Sequence, residues 1–325
     1  MDYYGLYPKF KLNRSLNEDE KKHQLKQNET IDLNGERVVP DASVISINSN
    51  YLELVDKYYS SKGLAGLLSA FGFGACMFML ISIIVITIPD EGWISWDDFG
   101  FIFIFVLITV PMGLWMLYLL KTEWFAWTHY PVRFDKKNRL VHVHRTDGST
   151  YSISWDKVFF TSGLGHRKDF NKDYYISGHV LADDNDTVID TFCLPATHSN
   201  REQLNRHWEF VRRYMEEGPK AVIDVVDFCL PIEKRRESYK FGLLYLLSQF
   251  NGAPIFLLPL FFALSFIFSI PRYLAIVTSK RPIWPKNIEA LCVITANDPY
   301  CITAANNSKR PWRDIFKRAP TEDKK

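Results

Sequence analysis

Hydrophobic and polar positions along this chain follow three patterns, and each predicts a different kind of element. The coarsest is a block pattern. Leu64 to Ile88 carries no charged residue, and neither does Gly100 to Leu120 ("GFIFIFVLITVPMGLWMLYLL"). At roughly 1.5 Å per residue, a helix over either run covers a hydrocarbon core about 30 Å thick. The two runs predict a transmembrane hairpin over 64–120. The link between them holds Asp90, Glu91, Asp97 and Asp98 and no Lys or Arg. Cytoplasmic loops are the ones rich in Lys and Arg. The link is therefore expected outside, and the N-terminal region 1–63 and the chain after Lys121 inside. Trp93 and Trp96 would lie at the outer interface, and Trp115, Tyr118, Trp124 and Trp127 at the inner one.

A third apolar run, Phe241 to Val277, closes a segment 231–277. One crossing is the expectation adopted, and it puts the tail 278–325 outside. Lys280, Arg281 and Lys286 stand just beyond the run, which the charge rule disfavours on that side. Two short crossings, or a re-entrant hairpin broken at Asn251-Gly252, would return the tail inside. The stretch before that break is too short to cross alone.

The second pattern is period two. "VRF", "LVHVHR", "TYSISW", "KVFFTS", "YYISGHVLA" and "TVIDTFCLP" mostly alternate, with turn formers such as Asp135-Lys136-Lys137-Asn138 and Asp147-Gly148-Ser149 between them. They predict an antiparallel meander. The third pattern is helical. Ser199 with Glu202 reads as a capping box, Leu204, Trp208, Val211 and Met215 form one stripe, and Gly218-Pro219 ends it. Residues 121–230 are thus expected to form a cytosolic antiparallel β-domain closed by one amphipathic helix. That is the outline of a pleckstrin-homology-like barrel, with other small barrels and sandwiches left open. Ala221 to Leu230 is expected to add a strand. The fold class is an α+β membrane protein.

Composition removes some function classes. Lys+Arg number 39 against 37 Asp+Glu, so no basic footprint points to nucleic acid. The polar N-terminus lacks the apolar stretch of a cleavable signal peptide. The five cysteines form no CxxC pair. Cys292 and Cys301, close together in a tail expected outside, are a candidate disulfide. GxSxG, HExxH and P-loop motifs are all missing from the sequence, so no enzyme, cofactor or metal is expected. His142 and His144 share one face of a strand, but no third ligand stands at a telling spacing, and the pair is read as facing solvent.

The remaining candidates concern membrane and packing. Gly66, Ala70 and Gly74 make a small-residue stripe that fits close approach of another helix, the second span or a second copy. Lys234, Arg235 and Arg236 are candidate lipid-facing residues, and the closing helix carries Arg201, Arg206, Arg212 and Arg213. Arg272, near the end of the third run, is expected to snorkel to an interface.

At "TEWFAWTHYPVRFDKKNRLVHVHR", "SWDKVFFTSG", "ISGHVLADD" and "HWEFVRRYMEEGP" the chain resembles a family of bacterial inner-membrane proteins, domain of unknown function 6708. The resemblance is strongest from about Lys121 to Pro219. It implies a multi-pass protein of the bacterial inner membrane in a setting of type VI secretion and toxin genes, and it carries no catalytic residue. The functional expectation is a protein that acts by binding, an immunity or accessory protein of a toxin locus. The alternative is a membrane-tethered scaffold or anionic-lipid-binding module. Membrane lipid and a toxin or secretion component are the expected partners.

Overall fold

A computed structural model describes residues 3–87, 95–164, 173–250 and 254–309. Trp93 and the Asn251-Gly252 break lie outside the described residues. The N-terminal region gives β1 (Arg14–Ser15), α1 (Glu18–Lys22), β2 (Gln24–Leu25), β3 (Val44–Ile47) and β4 (Tyr51–Leu54). Two long helices follow, α2 (Leu64–Thr87) and α3 (Trp96–Leu120). The predicted meander appears as β5 (Val132–Asp135), β6 (Leu140–His144), β7 (Thr150–Ser154), β8 (Val158–Leu164), β9 (Tyr174–Leu181) and β10 (Thr187–His198). It is closed by α4 (Arg201–Glu216). The chain then forms α5 (Tyr239–Ser248), α6 (Leu258–Thr278), α7 (Lys286–Leu291) and β11 (Ile302–Thr303).

The strands build two antiparallel sheets, in the orders β11-β3-β4-β5-β6-β7 and β1-β10-β9-β8-β2. Alternation decides which face of the first sheet is buried in the core. Leu52, Leu54, Val132, Phe134, Val141 and Val143 point inward and meet Phe160, Ile176, Phe192 and Leu194 of the second sheet. The helix α4 lays Leu204, Trp208, Val211 and Met215 on the same core, so the predicted stripe is the buried one. Trp208 is fully buried, its ring 5.8 Å from Trp155 and 4.8 Å from Phe160. Its N-cap is Asn200, whose side chain accepts from Glu202 N, one residue later than the predicted Ser199.

The β-domain is not confined to 121–230. Strands β3 and β4 precede the helical hairpin, and β4 pairs with β5 across it, Leu52 opposite Phe134. Residues 221–230 form no strand: Pro219–Ala221 and Ile223–Val225 are 3-10 turns, and Leu230 N donates to Val44 O at 2.7 Å.

Three helices, α2, α3 and α6, are long and apolar enough to cross a membrane by length and composition. Beyond α6, Lys280 bridges Trp127, Trp284 Nε1 donates to Glu53 Oε1 at 3.0 Å, and β11 pairs with β3, Ile302 opposite Ile47. The tail therefore packs on the sheet that holds β3 and β4, where the sequence reading set it apart from the domain. The short α5 packs along α6.

Candidate functional site

Three side-chain assemblies stand out, one where the helices meet the sheets, one between the N-terminal segment and the sheets, and one on the outer face of the first sheet. The first is a collar. The helix α2 begins behind Gly63, where φ is +97° and a Cβ would lie 2.4 Å from the Arg272 backbone, so only glycine fits. Helix N-termini leave unpaired N–H groups and favour an anion. Glu123, just beyond α3, supplies it, accepting from Gly66 N at 2.6 Å and Gly63 N at 3.1 Å. Arg272 of α6 does not snorkel. It is buried, with Nε and Nη2 each donating at 2.7 Å to the two oxygens of Glu237. Its Nη1 donates to Tyr59 O at 2.8 Å, and its guanidinium lies 4.7 Å and 4.9 Å from the Tyr59 and Tyr245 ring centres. Such a charge is tolerated in the interior only when its donors are satisfied, and here Arg272 fixes α6 to the domain.

The second is a cleft of about 380 Å³ between the N-terminal segment and both sheets, walled by Phe10, Leu12, Tyr58, Tyr130 and Ile189. Arg145 and Asp190 line it as an ion pair, Nε to Oδ2 at 2.7 Å. Asp56 accepts from Tyr130 N at 2.6 Å and Tyr58 N at 2.7 Å, yet burial raises its carboxyl above the ordinary range. Aromatic walls with a few placed charges suit an amphiphilic ligand or a peptide side chain.

The third lies on the other face of the first sheet. Alternation turns Glu53, Arg133, Asp135, His142, His144 and Ser152 away from the core. The histidines were expected in solvent, but both are buried, because the tail covers this face with Trp284, Ile288 and Cys292. Asp135, His142 and Cys292 bring a carboxylate oxygen, a ring nitrogen and a sulfur within 4.8 Å of one another. His142 Nε2 is 3.6 Å from Asp135 Oδ2, and Cys292 Sγ is 3.8 Å from the same oxygen. Burial pushes the Cys292 thiol up to about 11. Residues 135 and 292 are too far apart in sequence for any spacing rule to have joined them.

The other expected site residues fall out as follows. Lys234, Arg235 and Arg236 are exposed beside the ends of α5 and α6, and Arg236 Nη2 donates to Ser279 O at 3.0 Å. The arginines of α4 are engaged: Arg206 with Glu36, Arg212 and Arg213 with Glu209, and Arg201 over the Tyr174 ring. Cys292 and Cys301 are free thiols, which corrects the candidate disulfide. The reason is local: Cys292 points at Asp135, while Cys301 ends the turn from Asp298 that leads into β11. In the small-residue stripe Gly66 is tightly packed, a Cβ there falling 2.5 Å from Trp124 Nε1, and Ala70 is half-buried. Gly74 faces open space, and the seam with α3 runs instead through Gly72 beside Met116 and through Phe73 and Cys76 beside Gly113.

Fold and site together define a two-sheet domain joined to long apolar helices, with a cleft between the N-terminal segment and the sheets. The profile of a family of unknown function (DUF6708) matches residues 108–296, more than half of the 325-residue chain, and the chain belongs to that family. No curated protein and no solved structure matches it.

Proposed function

We propose that this chain is a membrane-anchored binding protein that holds a recognition domain against one face of a bilayer and acts without turnover. The observation that carries this is the assembly of the domain. Its first sheet takes strands from before α2, after α3 and after α6, so insertion of the helices pins one folded body at their base. Their outward faces are strongly apolar (Phe71 is 79% exposed and Ile86 82%) and suit lipid better than water. We read β4 to β7, then β8 to β10, then α4, as a pleckstrin-homology-like barrel with a helical hairpin inserted after its first strand.

In this reading the domain is cytoplasmic, supported by the acidic link between α2 and α3, which lacks Lys and Arg, and the membrane is a bacterial inner membrane with toxin-linked neighbours, supported by the family resemblance. The partner is accordingly a toxin or secretion component, and the chain an immunity or accessory protein. The test is extraction of the intact chain from native membranes in mild detergent, with co-purifying proteins identified by mass spectrometry. Capture of a stoichiometric toxin, with growth protection on expression, supports the reading. Full sensitivity of expressing cells to the toxin of the same locus contradicts it.

A second reading rests on the exposed Lys234, Arg235 and Arg236 at the helix bases, where each charge near an anionic surface contributes about 1 kcal/mol. Under it the domain recognises anionic headgroups, and replacing all three by Glu strips anionic lipid from the purified protein. Unchanged lipid retention would remove this reading.

A further inference from the structure

We propose that Asp135, His142 and Cys292 bind a zinc ion, and that the ion fastens the C-terminal tail to the β-domain. In a tetrahedral zinc site, with arms of about 2.0–2.3 Å, nitrogen and oxygen ligands stand roughly 3.3 Å apart and a sulfur and an oxygen roughly 3.6 Å apart. The separations here, 3.6 Å from His142 Nε2 to Asp135 Oδ2 and 3.8 Å from Cys292 Sγ to the same oxygen, are close to those values. The nitrogen–oxygen separation is too long for the hydrogen bond that would otherwise satisfy His142, and the sulfur makes only a long S–H···O contact.

His142 supplies the second observation. It is wholly buried, and its Nε2 has no hydrogen-bond partner although it is aimed into the cluster. An orphaned ring nitrogen in the interior is costly. Its other nitrogen, Nδ1, lies 2.6 Å from Ser152 Oγ. When Nδ1–H donates to that hydroxyl, the Nε2 lone pair points at the carboxylate, a repulsive contact that a cation between them turns favourable. A partner on the far nitrogen is also the outer-shell arrangement that orients metal-binding histidines. Asp135 is held in the same way, accepting from Asn138 N at 2.9 Å and Asn138 Nδ2 at 2.7 Å.

Charge balance agrees. Arg133 and Glu53 cancel as a buried ion pair beside the cluster. A divalent ion neutralises the Asp135 carboxylate and a Cys292 thiolate, the thiol proton leaving to solvent as the Zn–S bond forms. Thiolate, imidazole and carboxylate are a zinc ligand set, and a solvent oxygen would complete four-coordination. The ion would join β5 and β6 to the end of α7, which explains why this cysteine takes no disulfide.

The test uses the full chain in detergent, purified without a polyhistidine tag. Zinc is measured by elemental analysis, and cobalt exchange is followed by absorbance. The expected result is stoichiometric zinc and a thiolate-to-cobalt charge-transfer band. Both are lost in Cys292→Ser and kept in Cys301→Ser, and Ser152→Ala weakens zinc binding roughly 10–100-fold. A zinc-free chain that gives no cobalt band, or zinc and band that survive Cys292→Ser, overturns the proposal. If Cys292→Ser does not fold, chelation of the wild-type chain decides. Protease sensitivity that appears in the tail after residue 279 supports the clamp, and an unchanged digestion pattern counts against it.

Discussion

Arg272 is the single residue on which the join between helices and sheets depends most. From sequence it was a charge at the edge of an apolar run; in the fold its donors go to Glu237 and Tyr59. Removing one member of a buried pair costs roughly 3–5 kcal/mol, whereas replacing both by apolar groups is often neutral. Glu237→Ala should therefore lower the unfolding midpoint sharply in detergent, and Glu237→Met with Arg272→Met should recover most of the loss. A small effect of Glu237→Ala would mean the pair is solvated. Asp41 offers a residue-level test in pH. Burial alone would raise its carboxyl, but His198 Nε2 at 3.1 Å and His207 Nδ1 at 3.2 Å outweigh that and hold it at about 2, below its ordinary 3.8. A depressed carboxylate contributes stability that is present above its unfolded pKa and is lost as pH falls through its folded one. Burial would lower His198, but the Asp41 partner raises it overall. Its share is present below its unfolded pKa and is lost as pH rises through the raised one. Unfolding midpoints measured against pH should fall on the acid side between 3.8 and about 2, and Asp41→Asn should flatten that limb.

The elements whose pattern is local were legible in the sequence. The six strands from Val132 to His198 and the α4 stripe follow from alternation and from the 3.6 period. Strands β3 and β4 were not legible because "VISI" and "YLEL" are four residues each and stand apart from the other strands, on the far side of the helical hairpin. Their partners also lie far along the chain. The helix stripe was half legible: small residues every four positions indicate close approach, but not which of them is approached. That difference is testable. Gly66→Val puts a side chain into Trp124 and Glu123, whereas Gly74→Val meets open space. Overpacking costs typically 1–3 kcal/mol. The first variant should lose that much stability in detergent and the second should change little. Equal losses would mean that Gly74 is packed against a second copy.

At the scale of the whole molecule, the domain is discontinuous, and that sets where the tail packs. The apolar runs gave the long helices, and Lys280, Arg281 and Lys286 argued against a tail outside, but the contacts that hold the tail are tertiary and no local pattern names them. Ser49 N and Oγ donate to Asp298 at 2.7 and 2.8 Å, and β11 adds to β3. The candidate metal ligands were unreadable for the same reason, since only the folded tail brings Cys292 to Asp135 and His142. Cysteine labelling tests the central claim most directly, with a membrane-impermeant maleimide on intact spheroplasts and on inverted vesicles. In a Cys301→Ser background, single cysteines replace the exposed residues Glu36 in the N-terminal region, Asp97 at the start of α3 and Ala305 in the tail. The account expects Glu36→Cys and Ala305→Cys to react only in inverted vesicles and Asp97→Cys only in spheroplasts. Reaction of Ala305→Cys from the same side as Asp97→Cys would contradict it.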